Sequence, residues 1–234
     1  MYRGKRPFLI AMAICIVFGF CGCGGTKKVQ STLPEENQNT ISEEIQNIKE
    51  EAAAYLSNHY PDTFSPKLYT PKNWAYEYES LIFTSQKYPD AQIEVRAYKN
   101  EDGDYRFKDN YFRSSMMADA VCYGEFLLQG TPGVVKVRFP YTIWSDDLGG
   151  ANSFEGWKAQ GTACVDIFVF SSTPLSAAMQ REIVGKVKAD RVYGSVQFVV
   201  TEDESLLCNK TLDDILNNQK EYVVAKKIYN VEPS

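Results

Sequence analysis

The chain has 234 residues, with 25 Lys and Arg against 30 Asp and Glu, one histidine, and 13% aromatic residues. A formal charge of −5 argues against the basic stripe that phosphate backbones demand, so no nucleic-acid partner is expected. The single histidine and the lack of a Cys-x-x-Cys pair exclude zinc-ligand spacing and H-E-x-x-H chemistry, and no metal or cofactor is expected.

In chain order, Arg3, Lys5 and Arg6 form a positive segment before the uncharged apolar run from Phe8 to Phe20. That run is shorter than the about 20 residues a membrane span requires, and it has the length of an export-signal core. Phe20-Cys21-Gly22-Cys23 then resembles a bacterial lipobox of the Gram-positive type, in which a bulky apolar residue, a tolerant position and a small residue precede a cysteine. Cys23 matches the lipidated position and Gly22 the small residue before it. The resemblance implies that residues 1–22 are a lipoprotein signal peptide, that Cys23 carries a thioether-linked diacylglyceryl group, and that the chain is held at the extracytoplasmic face of the cell membrane. Two acyl chains anchor stably, at about 0.8 kcal/mol per buried methylene. Losing Arg3, Lys5 and Arg6 takes the formal charge from −5 to −8, which leaves membrane contact to the lipid.

Residues 24–40, "GGTKKVQSTLPEENQNT", are polar and aperiodic, so 23–40 reads as the lipidated cysteine and a flexible tether, and 41–234 as the globular domain. Thr40 and Glu43 have capping-box spacing. Ile41, Ile45, Ile48, Ala52, Leu56 and His59 then recur at intervals of three and four and predict a helix ending before Pro61. His59 reads as a packed or capping residue at the end of that face. After the turn-rich "YPDTFSPKLYTPKN", strands are predicted over 74–83 and 92–99, with a hairpin turn in "NEDGD".

A second helix is predicted over 111–129, stopped by Gly130 and Pro132, and a strand over 134–144 that Pro140 confines to a sheet edge or a bulge. "CVDIFVF" and "SVQFVV" predict strands around a helix that starts at Thr173-Pro174, Thr211 and Asp214 cap a short helix, and "EYVVAKKIY" predicts a closing strand. The expected fold class is α+β, a mixed or antiparallel sheet with three to four helices packed on it, and the pattern allows two small lobes with a sub-boundary near 130–133. At lower specificity, "AAAYLSNHYPDTF" followed by strands and then "KDNYF" resembles a pattern in small uncharacterised surface lipoproteins, over residues 45–128. It implies an α+β module on the cell surface and brings no activity.

Chemistry has few footholds. The chain lacks the G-x-S-x-G and S-x-x-K spacings of nucleophilic hydrolases, and "GGANSFEG" lacks the phosphate-cradle lysine, so no catalytic residue is assigned. Paired carboxylates for glycan hydrolysis are a matter of three-dimensional separation and stay open. The aperiodic stretch 144–162 is the candidate for ligand or partner binding. Trp144 and Trp157 bracket Asp146, Asp147, Asn152 and Glu155 there. The plainer and leading reading is that both indoles anchor the loop to the core; the functional ones are that the stretch suits a sugar ring or a cationic side chain, or calcium. Cys122, Cys164 and Cys208 read as buried small hydrophobes or as one disulfide and a free thiol. The expected function is a membrane-anchored, non-catalytic binding module of the cell envelope, with an envelope protein or wall glycan as partner. The alternatives are a wall-glycan hydrolase and a solute-binding receptor.

Overall fold

A computed structural model describes residues 35–203 and 205–233, with side chains from residue 42 on. The chain divides into two compact units, Met1–Thr40 and Ile41–Ser234, and the architecture below is that of the second. The export signal and Cys23 lie outside the described residues.

Helix α1 (Glu35–His59) begins before the expected cap, so Thr40 and Glu43 lie inside it and residues 35–40, read as tether, are helical. The apolar repeat starts only at Ile41, which is why the polar turns before it gave no periodic signal. Ile48, Ala52 and Leu56 are buried as one row. Burying side chains the size of Ile48 and Leu56 stabilises by about 1.5–3 kcal/mol each.

This row rests on an antiparallel meander, β1 (Phe64–Thr70), β2 (Glu79–Ser85), β3 (Ile93–Lys99) and β4 (Tyr105–Asp109), in that spatial order. Strand alternation sends Leu81, Phe83, Ile93, Val95 and Ala97 into a first core with α1. Strand β1 lies in the segment read as turns. Pro66 is tolerated because β1 is an edge strand, and its register shifts between Pro66 and Leu68. The expected strand 74–83 starts only at Glu79, because Asn73 and Tyr76 close a tight turn within the β1–β2 connection.

The predicted helix over 111–129 is two helices broken at Met116, α2 (Phe112–Ser115) and α3 (Met117–Leu127). There follow β5 (Val134–Arg138), α4 (Phe154–Ala159), β6 (Cys164–Ser171), α5 (Ala177–Ala189), β7 (Tyr193–Val200), α6 (Ser205–Cys208), α7 (Leu212–Asn217), α8 (Gln219–Tyr222) and β8 (Ala225–Val231). The second sheet has the order β5-β6-β7-β8, parallel only between β6 and β7, which α5 connects. Val165, Ile167 and Val169 face a core that includes α3, α4 and α5, while Phe168 and Phe170 face Leu206 and Ile215 on the other side. Burial on both faces explains the unbroken apolar run of β6. The β5 edge strand ends at Arg138, two residues before Pro140.

The fold is therefore α+β, with one antiparallel and one mixed four-stranded sheet surrounded by helices. Successive side chains Tyr111 and Phe112 enter the first and second cores respectively. Residues 130–133 connect α3 to β5, both in the second layer. Cys122 and Cys208 are exposed and Cys164 is half-buried, all three as free thiols, so the reading as buried hydrophobes fails for the first two. Among the described residues, no helix is long and apolar enough to cross a membrane.

Candidate functional site

Helix α1 stops at His59, whose Nδ1 lies 2.8 Å from the Tyr55 carbonyl oxygen and whose ring lies 4.3 Å from that of Tyr55. Of the two roles expected of it, packed or capping, the exposed ring takes the second. Pro61 cannot continue the helix, and the turn delivers Tyr60 and Asp62 to the sheet end where β4 finishes at Asp109.

Asp109 is completely buried. Its carboxylate accepts hydrogen bonds from the Tyr55 hydroxyl at 2.8 Å, from the Tyr60 hydroxyl at 3.0 and 3.1 Å, and from the Tyr111 amide at 2.9 Å. The Asp109 amide donates to Ser145 Oγ at 3.0 Å, which brings the 145–148 turn against β4. Asp62 organises the other side. It accepts from the hydroxyls of Ser85 and Tyr111, and from the amides of Thr63 at 2.7 Å and Lys87 at 3.1 Å.

These acceptors fix the rings. Tyr60 and Tyr111 stack with centroids 4.3 Å apart, Tyr88 meets Tyr111 edge-on at 5.5 Å, and Tyr55 lies 5.4 Å from Phe107. Burial, then the charge of Asp109, pushes the phenols of Tyr55 and Tyr60 well above their ordinary range. Burial and the bond to Asp62 do the same for Tyr111. Burial also pushes the Asp62 carboxyl upward, but the Ser85, Thr63, Lys87 and Tyr111 donors outweigh it and hold the group below the usual carboxylate range.

The rings line a cavity of about 690 Å³. Buried Phe112, Met116 and Leu148 add apolar lining, and exposed His59, Lys87, Asp146 and Asn152 add polar groups. Because the hydroxyls of Tyr55, Tyr60 and Tyr111 are engaged by carboxylates, those residues offer a ligand ring surface rather than free donors. The geometry is that of a pre-formed pocket with a few convergent polar groups.

The four site residues read from the sequence do not converge. Asp146 lines the cavity and pairs with Arg106 Nη2 at 3.0 Å and Lys108 Nζ at 2.7 Å. Asp147 accepts from the Trp144 amide at 2.8 Å and caps the 3-10 turn Ser145–Leu148. Trp144 is buried, with the Arg96 guanidinium 3.8 Å from its ring. Trp157 is fully buried in the second core, 6.0 Å from Phe112, and its indole nitrogen has no partner among the described residues. The stretch 144–162 is also less irregular than its composition implied, because Ser153 Oγ accepts from the Gly156 amide and starts α4.

Sequence reasoning missed Asp109, Tyr55, Tyr60 and Tyr111. Their signal lay in two short segments of the sequence. "AAAYLSNHYPDTF" supplies Tyr55, Tyr60 and Asp62, "KDNYF" supplies Asp109 and Tyr111, and the fold brings the two together.

Two carboxylates at the cavity, Asp109 and Asp146, are each engaged by other side chains. Asp109 is saturated by donors behind the wall, and Asp146 is neutralised by two cations. Among the described residues no cluster of three or more His, Cys, Asp or Glu side chains could hold a metal ion.

No family model and no curated protein matches the chain. Among solved structures, a DUF5037 family protein from Ruminococcus gnavus is similar at 11% identity and a TM-score of 0.42, over 76% of this chain and 87% of that one.

Proposed function

We propose that the chain is a lipid-anchored protein of the outer face of the cell membrane that binds wall glycan in the tyrosine-walled cavity without catalysing a reaction. The observation that carries this reading is the set of ring surfaces held in place by Asp109 and Asp62 around an open volume of about 690 Å³. A sugar ring combines an apolar face that lies against an aromatic side chain with hydroxyls that bond to groups such as Asn152, Asp146, Lys87 and His59. The anchor rests on the positive segment, the apolar run and the Gly22-Cys23 junction.

The test is calorimetric titration of the chain from residue 23, carrying Cys23→Ser, with soluble wall-glycan fragments. Tyr88 lines the cavity, and its loss should weaken binding by about three- to tenfold, the worth of one stacking ring. Silence of the parent, with an envelope protein cross-linked to it in cells, would transfer the cavity to a protein ligand. Release of reducing sugar would overturn the non-catalytic reading. Separately, Cys23→Ala should end lipid labelling in cells and move the chain to the soluble fraction.

A further inference from the structure

We infer that the tip of the β1–β2 connection is a second membrane contact. In this arrangement Trp74 and Tyr76 sit in the interfacial zone of the bilayer that holds the anchor, and so keep the cavity turned away from it. The inference rests on the lipid-anchored reading for its biological setting, and its physical content is tested apart from that reading.

Trp74 is 100% exposed and Tyr76 54% exposed. Tryptophan is on average highly buried, so a wholly solvated indole is an unusual surface feature. Its position is set by the backbone. The Tyr76 amide donates to the Asn73 carbonyl at 3.3 Å, and the Ala75 amide donates to Asn73 Oδ1 at 2.8 Å, which places Trp74 at the apex of a tight turn. The stem is packed, with the Tyr76 ring 5.4 Å from Tyr78, Tyr78 5.4 Å from Tyr98, and the Arg96 guanidinium 4.3 Å from Tyr78. A braced stem thus carries a bare aromatic tip.

The placement of this tip gives it meaning. Thr70, Glu79, Lys99 and Tyr105 are strand termini at one end of the first sheet. Glu44 of α1 pairs with Lys99 Nζ at 2.8 Å at that same end. The chain therefore comes into the domain beside the base of the Trp74 turn. Asp62, Ser85, Asp109 and the cavity occupy the opposite end, where α1 finishes. A chain tethered through its N-terminal segment presents the Trp74 end to the bilayer and the cavity to the wall.

The partner chemistry follows from the side chains. Trp and Tyr concentrate at membrane–water interfaces because their rings are apolar and carry one polar edge. Glu77 in the connection, and Glu101, Asp102 and Asp104 in the β3–β4 turn at the same end, outweigh Lys67 and Lys72. The contact is therefore aromatic partitioning rather than attraction to anionic headgroups. A short tether also holds the tip at an effective concentration on the order of millimolar, which populates a contact too weak to recruit a free chain.

The experiment couples residues 23–234 to zwitterionic vesicles through a hexahistidine before residue 23 and a nickel-chelating lipid, with some lipids brominated in their acyl chains. Native acylation is bypassed, so failure of the Cys23 anchor, read from Cys23→Ala fractionation in cells, is distinguishable from failure of the contact. Trp144 is 7% and Trp157 0% exposed, so quenching by brominated lipid reads Trp74. The expected result is quenching that Trp74→Ala abolishes with the far-ultraviolet spectrum unchanged. Anionic lipid should weaken it, and added salt should restore it. The inference is overturned by an unquenched parent, by equal quenching in Trp74→Ala, or by quenching that needs anionic lipid and vanishes in salt. Quenching absent on vesicles but replaced by Trp74-dependent capture of a protein or glycan overturns it too.

Discussion

At the scale of single residues, Tyr60 and Asp109 show how a buried charge is tolerated at the cavity. The carboxylate of Asp109 is surrounded by hydroxyl and amide donors, so removing one donor leaves a buried acceptor short. Tyr60→Phe should cost about 1.5–3 kcal/mol at neutral pH, the range for hydrogen bonds to charged groups, measured by urea unfolding. The pH dependence has a fixed sign. The folded-state pKa of Tyr60 is raised, so stability is fully present below the unfolded phenol value of about 10 and is lost as pH rises above it, where the unfolded chain releases its proton and the folded chain keeps it. Each such phenol adds up to about 1.4 kcal/mol per pH unit to that decline. Tyr60→Phe should therefore unfold on a shallower alkaline slope than its parent, and identical slopes would show that the raised phenol is not coupled to folding.

At the scale of elements, the parts legible in the sequence are those whose signal is local. The Thr211 and Asp214 pair forms the capping box expected at the start of α7, and the buried row Ile48, Ala52 and Leu56 follows its spacing. Elements that depend on distant partners were not legible. Strand β1 is largely exposed and contains Pro66, and it exists because β2 supplies a register for it. The division of 111–129 at Met116 follows from Phe112 and Met116 entering the second core beside Tyr111, which enters the first. The cavity was the least visible feature, because Tyr60 and Asp109 are 49 positions apart and meet only after the meander is complete. Gly194 illustrates a tertiary demand of this kind. It has φ of +113° beside β6, and a Cβ there would fall on the Val165 carbonyl. Gly194→Ala should destabilise by at least about 2 kcal/mol in urea, since strain of this kind costs roughly 1–3 kcal/mol before the clash is counted. A loss below half that value would mean that the β6–β7 ladder shifts freely.

At the scale of the whole molecule, the first and second hydrophobic cores are joined by a seam that belongs to neither. Trp144 is buried, yet it lies outside both clusters, against Arg96 of β3 and 5.4 Å from the Arg113 guanidinium of α2. Beside it are the Asp146 pairs with Arg106 and Lys108, and the Tyr55, Ser145 and Asp109 contacts. The exposed ion pairs are worth about 0–1 kcal/mol and the cation–π contact about 0.5–2 kcal/mol, whereas truncating a buried indole costs about 3–5 kcal/mol, so Trp144 dominates the joint. Coupling between the cores should make unfolding a single transition in the parent, and Trp144→Ala should separate it into two. In a Trp74→Phe background, tryptophan fluorescence follows the second core through Trp157, with Trp144 of the seam adding to it in the parent, while hydrogen exchange at the β2 and β3 amides follows the first. Transitions that coincide in the parent and diverge in Trp144→Ala would place the mechanical joint of the protein beside its cavity. Glycan affinity should fall with the divergence, because the wall comes from the first layer and Phe112, Met116 and Leu148 from the second. Transitions that still coincide would assign the coupling to Asp109 and Ser145 instead, and would leave the seam tryptophan as packing alone.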